Sequence, residues 1–336
     1  MKTVAKNIYN RIMAAEKIIL VPHQNPDGDT LGSVNAFIQW LRRIDKAHVA
    51  YCKTGISPKL KYLPYIDLVT QDESVWTDPD VDMVIVFDSG DLRYAGVAEQ
   101  IVNLPKKPII INFDHHNTNE FFGHENMVNT TESSTTAVLY HFFMYNKIDI
   151  DATMATCLLT GLITDTDHFT NAATSTTSLL IGSKLMKRGG NVDIIKQWIL
   201  KDKTVKGLQL WGTTLSRLVH HKRLDIVYTY VTQEDLKKHH VNEAEVEGIA
   251  NFLNNLNEGR AGMILKEMPD GKIKGSFRTT RDDTDVSRYA KHFGGGGHKK
   301  AAGFTVEGPI HIAIEYIIDS LMKLEGLDVR DSVLGT

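Results

Sequence analysis

The chain has 336 residues, of which 42% are hydrophobic and 24% charged, and a formal net charge of -3 at pH 7. That is an ordinary globular composition, long enough for two domains at roughly 150 residues each, and its slight negative charge argues against a surface that grips long duplex nucleic acid. The two cysteines fall in no zinc or CxxC spacing, the N-terminus lacks a leader-type apolar run, and no stretch of about 18 apolar residues occurs; no membrane span and a cytoplasmic location are expected.

The run Lys17-Ile18-Ile19-Leu20-Val21-Pro22 predicts a first buried strand. It leads into His23-Gln24-Asn25-Pro26-Asp27-Gly28-Asp29, which holds two turn dipeptides. Val34, Phe37, Ile38 and Leu41 then have helical spacing, so His23, Asp27 and Asp29 are expected on a strand-to-helix loop. Both acids could serve only as turn formers and caps. Two acids two residues apart, with a histidine four residues before the first, exceed what a cap needs, and metal ligation is the better reading.

Residues 48–51 predict a second strand, and 57–65 a loop or short helix. Residues 82–87 form a continuous apolar strand that ends in Asp88. Ile109-Ile110-Ile111-Asn112-Phe113 predicts another, running into Asp114-His115-His116. A polar loop is expected over 117–131, then a helix capped by Ser133 or Ser134, with Ala137, Leu139, Tyr140 and Phe143 on its buried face. Asp151 caps a further buried helix over 152–164, which delivers Asp165 at its end. A helix over about 177–187 stops at Gly189-Gly190. No GxxxxGK[ST] or GxGxxG fingerprint occurs in this half, which argues against triphosphate and dinucleotide cofactors.

Residues 191–221 read as wholly helical, a connection between domains. The second domain opens with a strand over 224–231, a helix over 244–256, and a hairpin of 262–267 with 272–278 across Pro269-Asp270-Gly271. A helix over 286–292 precedes Phe293-Gly294-Gly295-Gly296-Gly297-His298-Lys299-Lys300-Ala301-Ala302-Gly303. Successive glycines permit positive φ and let backbone N–H groups approach an anion. Arg278, Arg281, Arg288, His298, Lys299 and Lys300 add positive charge, and phosphate binding is the expectation for Gly295, Gly296, Gly297 and His298.

The residues at the ends of these elements are His23, Asp27, Asp29, Asp88, His115 and Asp165: four carboxylates, two imidazoles and no thiolate. Such a set suits Mn²⁺ or Mg²⁺, with Fe and Zn as further options, and the two histidines favour Mn²⁺. Six ligands are too many for one open catalytic ion and fit two, about 3.5–4 Å apart, as in phosphoryl-transfer sites.

These motifs resemble the DHH phosphoesterase superfamily. Asp114-His115-His116 is similar to its signature, His23-x-Asn25-Pro26-Asp27-Gly28-Asp29 to its first motif, and Asp88 and Asp165 to its single-acid second and fourth motifs. The segment Phe293 to Gly303 is similar to the glycine motif of the DHH-associated C-terminal domain. The resemblance covers nearly the whole chain, and its size and spacing look like the NrnA-type subfamily.

The resemblance implies an α/β fold: a parallel-sheet DHH domain over 1–188, a helical linker over 189–221, and a smaller α/β substrate-binding domain over 222–336. It implies a phosphodiesterase that cuts short RNA or linear and cyclic dinucleotides, or dephosphorylates adenosine 3′,5′-bisphosphate. A homodimer is a family-level expectation. His23 and Asp27 would hold one ion, Asp29, His115 and Asp165 the other, and Asp88 would bridge. Asp114 would orient His115, and His116 would contact the scissile phosphate. Arg278, matching a Ser-x-Arg motif, would bind the substrate end with His298 and the glycines. The alternatives are a pyrophosphatase or exopolyphosphatase of the same superfamily, a RecJ-like exonuclease, and a nucleotide-binding module without catalysis. The glycine motif argues against the pyrophosphatase branch. The modest size argues against RecJ.

Overall fold

The computed structural model describes residues 1–200, 204–246 and 248–328. The chain forms two compact units, 1–202 and 203–336.

In the first unit six strands form one parallel sheet: β1 (Lys17–Pro22), β2 (His48–Tyr51), β3 (Val69–Thr70), β4 (Val81–Phe87), β5 (Ile109–Asp114) and β6 (Glu125–Val128). Their order is β3-β2-β1-β4-β5-β6. Alternation along β1 sends Ile18 and Leu20 into one core and Ile19 and Val21 into the other, so both faces are covered. Between β1 and β4 the strand order reverses. Crevices at the carboxyl ends of strands on either side of such a reversal are where open α/β sheets bind ligands.

Aromatic packing fixes this edge. Phe87 and Phe113 stack with centroids 5.7 Å apart, and Phe37 lies 5.2 Å from the first and 5.7 Å from the second. Each fully buried ring contributes roughly 1.5–3 kcal/mol, with about 0.5–1.5 kcal/mol more per good aromatic pair. Phe87 and Phe113 immediately precede Asp88 and Asp114, so this plug sets the height at which both acids emerge.

The second unit holds a mixed sheet of β7 (Val219–His221), β8 (Ile226–Val231), β9 (Ala261–Glu267), β10 (Ile273–Arg278), β11 (Gly296–His298) and β12 (Ala301–Val306), in the order β11-β12-β10-β9-β8-β7. Only β8 and β9 pair in parallel.

Four readings change. The stretch 191–221 is not wholly helical: after Val192–Ile195, a π-helical turn at Lys196–Leu200 and the helix Val205–Leu215, β7 pairs with β8 in a hairpin; residues 201–203 lie outside the described residues. Leu210 packs with Val231, Leu236, Ile249 and Ile264, which puts the helix Val205–Leu215 inside the second unit. The helix expected over 244–256 is three short turns, interrupted at Gly248 with φ of 93°. The polar loop after His116 contains β6, and the glycine motif is a turn followed by the β11–β12 pair. The motifs also pass over two terminal helices, Lys2–Ala14 and Ile310–Leu324.

Arg217 forks onto the buried Asp235 at 2.5 and 2.8 Å and lies over the Tyr230 ring. Burial pushes the Asp235 carboxyl up, but Arg217 and the N–H and hydroxyl of Thr232 bring it down to about 2. At about 1.36 kcal/mol per pH unit this depression is worth on the order of 2 kcal/mol. A depressed carboxyl stabilises the fold above its ordinary range and loses that contribution as pH falls from about 4 toward 2. Asp235→Asn is therefore expected to lower the urea midpoint at pH 6, with the gap to wild type narrowing at pH 3. A gap that stays constant with pH would contradict the pairing.

Candidate metal centre and its surroundings

The site lies at the carboxyl ends of β1, β4 and β5. Asp27 is the N-cap of the helix Gly28–Arg43, its Oδ1 accepting from the N–H groups of Asp29 and Thr30 at 3.0 Å. The capping role weighed in the sequence is thus real, and it coexists with proximity to His23, whose Nε2 is 3.9 Å from the same oxygen.

Asp29 is fully buried. Its Oδ2 accepts from Thr135 N–H at 2.6 Å, and its Oδ1 from Thr136 N–H at 2.9 Å and the Thr136 hydroxyl at 2.8 Å. It therefore sits at the N-terminus of the helix Thr135–Tyr145, where a negative charge is favoured. Close quarters are essential here: a Cβ at Gly161 would meet Asp29 Oδ1 at 2.4 Å.

Asp88 is the hub. It is buried, with a left-handed backbone at φ of 58°. Such a conformation costs about 1–3 kcal/mol and clusters at functional sites. Its Oδ2 accepts from the Thr30 hydroxyl at 2.7 Å and lies 3.5 Å from His23 Nε2. Its Oδ1 accepts from the Thr135 hydroxyl at 2.8 Å and lies 3.7 Å from His115 Nε2 and 3.6 Å from His116 Nδ1. One carboxylate thus faces three imidazoles. Burial opposes its charge, but the histidines hold it well below the usual carboxylate range.

His115 Nε2 is 3.3 Å from Asp165 Oδ2, is buried, and has no hydrogen-bond partner among the described residues. Burial lowers its pKa. Burial raises the carboxyls of Asp29 and Asp165 well above their ordinary value, and neighbouring carboxylates add to the shift. Burial lowers His23, but the Asp88 carboxylate, the Gln24 carbonyl and Asp27 together raise it above its ordinary value.

The DHH segment differs from the implied roles in one respect. Asp114 Oδ1 accepts from His116 Nδ1 at 2.8 Å and from the N–H groups of His115 and His116; its Oδ2 accepts from Asn119 Nδ2 at 2.5 Å. Asp114 therefore orients the ring of His116. The ring of His115 turns its Nδ1 toward the Glu132 carbonyl, 3.4 Å away. The difference follows from position: Asp114 ends the strand, and the turn brings the second histidine back over it. The Asp114 hydrogen bond raises His116 to about 9.

Among the described residues, three groups of donors each lie within 4.8 Å of one another: His23, Asp27 and Asp88; Asp29, His115 and Asp165; Asp88, His115 and His116. The first two include the two ligand sets that the resemblance implies. Packed carboxylates with raised pKa values, an orphaned imidazole nitrogen and no thiolate suit hard divalent cations.

No sequence motif marks Thr30, Thr135, Thr136, Asn119 or Glu132. Only the hydroxyl run Ser133-Ser134-Thr135-Thr136 hinted at them, since one cap needs one hydroxyl, here that of Ser134. Tyr94, exposed, sets its ring 5.0 Å from that of His23.

In the second unit, Arg278 ends β10, its Nε donating to Asn251 Oδ1 at 3.0 Å and its Nη1 to the Phe277 carbonyl at 2.9 Å. The glycines divide their work. Gly294 and Gly295 spend their N–H groups closing the helix Val286–His292. Gly295 and Gly297 lie so close to β12 that a Cβ would meet the Gly303 carbonyl at 2.2 Å and the Ala301 carbonyl at 2.6 Å. Positive φ occurs at Gly294 and Gly297 only within the quartet. Gly296, Gly297 and His298 form the exposed edge strand, and through Ala301 of β12 the register puts His298 in the same row as Arg278.

Residues 17–162 match the model of the DHH family, N-terminal domain, and residues 224–322 that of the DHHA1 domain. The chain is 26% identical over 312 residues to the bifunctional oligoribonuclease and PAP phosphatase NrnA of Thermus thermophilus, covering 91% of this chain and 89% of that protein. It is 24% identical to a probable enzyme of the same name from Streptococcus mutans, over 90% of this chain and 93% of the other. A crystal structure of an exopolyphosphatase-related protein from Bacteroides fragilis superposes with a TM-score of 0.88 at 23% identity, covering 97% of each chain, and shows the shared fold. With both domains matched in order and the signature residues gathered at one sheet edge, this chain carries a DHH-family N-terminal domain followed by a DHHA1 domain and is a hydrolase of phosphate esters.

Proposed function

We propose that the protein is a two-metal phosphodiesterase that cuts very short oligoribonucleotides or dinucleotides, linear or cyclic, to mononucleotides, and that it also removes the 3′-phosphate of adenosine 3′,5′-bisphosphate. The observation that carries the metal assignment is Asp88, whose two oxygens face His23 on one side and His115 on the other. Relatives named for oligoribonuclease and PAP phosphatase activity, matched along nine-tenths of both chains, support the substrate class.

His23 and Asp27 would hold one Mn²⁺, Asp29, His115 and Asp165 the other, and Asp88 both, with Mg²⁺ as the alternative. Bound there, the ions would lower the pKa of a water and neutralise the phosphate. The protein's own contribution begins with Thr30 and Thr135, whose hydroxyls fix the Asp88 carboxylate. The Glu132 carbonyl faces His115 Nδ1 and so fixes which nitrogen points inward. His116, with Nδ1 tied to Asp114, keeps Nε2 for the substrate and is protonated at neutral pH. It binds a phosphate oxygen and gives its proton to the departing ribose oxygen as water adds to phosphorus. Arg278, His298 and the edge-strand glycines, Gly296 and Gly297 with their neighbour Gly295, would bind the rest of the substrate.

A substrate panel tests this reading. With Mn²⁺, a 5′-phosphorylated diadenylate is expected to release AMP faster than pyrophosphate or polyphosphate releases phosphate. Preferential consumption of pyrophosphate or polyphosphate would overturn the nucleotide assignment and leave the metal centre standing.

A further inference from the structure

Tyr94 stands beside the candidate metal centre on a turn that holds it still. Asp91 caps the one-turn helix Leu92–Ala95, its Oδ1 accepting from the N–H groups of Arg93 and Tyr94 at 2.7 and 2.8 Å. Gly96 ends that turn with φ of 74°. Gln24, the neighbour of His23, ties it to the first loop. The backbone N–H of Gln24 donates to the Tyr94 carbonyl at 3.2 Å, and its Nε2 to the Arg93 carbonyl at 3.0 Å. The fit is close: a Cβ at Gly96 would meet the Gln24 side chain at 2.7 Å.

The ring itself leans on His23, with centroids 5.0 Å apart and planes 31° from parallel. Tyr94 is nevertheless 53% exposed. Burial of the rest, with the Asp88 and Asp27 carboxylates, pushes its hydroxyl up, so the phenol lies in the field of the two acids that also face His23. A large ring left open to water gains when something apolar covers it. Because the turn is already rigid, little ordering is left to oppose that gain. The carboxylates and imidazoles of the centre suit ions and phosphate, whereas an aromatic face suits another flat ring. Stacking on a nucleobase is sequence-tolerant, since every base has a π-face.

Position says which nucleoside is served. His23 faces Asp88 Oδ2, whereas His116 faces Oδ1. His116 attends the departing ribose oxygen, so Tyr94, on the other side of Asp88, stands with the nucleoside that keeps the phosphate.

We propose that Tyr94 is the stacking platform for the nucleobase of the nucleotide whose phosphate the centre holds. The proposal rests on the reading that short nucleotides are the substrates. It gives the catalytic domain a base contact of its own, one indifferent to which base is present, and a ring that pyrophosphate and polyphosphate leave uncovered.

The test is calorimetric titration of the full chain, loaded with Mn²⁺, with AMP and with ribose 5-phosphate, which lacks the base. Wild type is expected to bind AMP about tenfold more tightly, the size of one base–aromatic stack. Tyr94→Ala is expected to abolish that preference by weakening AMP and sparing ribose 5-phosphate. Tyr94→Phe keeps the ring and is expected to keep the preference. A merely structural role would weaken both ligands alike in Tyr94→Ala, together with its Mn²⁺ content by elemental analysis, and would overturn the proposal. An AMP preference that survives in Tyr94→Ala, or is absent from wild type, would overturn it too. Tyr94-dependent AMP preference in a protein that does not cut diadenylate would uphold the platform and refute the proposed reaction. A protein that cuts diadenylate with no such preference would do the reverse.

Discussion

Asp88→Asn is expected to reduce phosphodiester hydrolysis by at least about 10³-fold while the chain stays folded. The several kcal/mol of transition-state charge stabilisation that bound cations supply correspond to that factor at about 1.36 kcal/mol per decade. Asn is the informative replacement because Asp88 has φ of 58°, and Asn tolerates the left-handed region where Ala is strained. It also keeps an oxygen for one of the Thr30 and Thr135 hydroxyls, which donate to different oxygens of Asp88, and turns an amide N–H to the other. The loss should appear in metal content as well as in turnover: the purified variant should retain fewer Mn²⁺ ions per chain by elemental analysis. Full metal content with full activity would show that Asp88 bridges nothing.

The second large effect belongs to His116. Its Nδ1 is committed to Asp114, and that hydrogen bond lifts its pKa to about 9. It therefore carries a proton at neutral pH. Loss of a general acid typically costs about 10²–10⁴-fold. His116→Gln should show that cost on a diadenylate, whose leaving ribose alkoxide needs a proton. The cost should fall below about tenfold on bis(p-nitrophenyl) phosphate, whose leaving group departs as a stable anion. Asp114→Asn should move in the same direction, since it loosens the His116 ring. Equal losses on both substrates would assign His116 to phosphate binding alone.

How far the sequence speaks can be judged residue by residue. The strands that end in Asp88 and Asp114 were readable because parallel strands covered on both faces are written as unbroken apolar runs, and a polar residue at the end of such a run stands out. Their convergence required the strand order. Nothing local states that β1 and β4 are neighbours, with β5 beside β4. The loop of His23 could be placed at a sheet edge from its turn dipeptides, but not opposite Asp88.

What escaped the reading has physical causes. β6 is four residues long and includes Glu125 and Asn126, so its composition reads as loop. β11 consists of Gly296, Gly297 and His298, which favour no strand; β12 imposes it by ladder pairing, at a distance that leaves no room for a Cβ at Gly297. The terminal helix Ile310–Leu324 has a clear buried stripe at Ile310, Ala313, Ile317 and Leu321, but no polar motif marks it. Asp114 could not be assigned to one of two adjacent histidines from spacing alone. The backbone turn decides between them, and here it selects His116. Thr30 and Thr135 hold the hub through single hydroxyls, and a lone threonine beside an acid has no distinctive spacing.

The most direct test of the account is a metal titration. Protein stripped with chelator should be inactive on 5′-phosphorylated diadenylate, and activity should return in proportion to added Mn²⁺ until two equivalents per chain are bound. That result would support Asp88 as the shared ligand of a paired site. Undiminished AMP release in the continued presence of chelator, or full activity at one bound ion per chain, would contradict it.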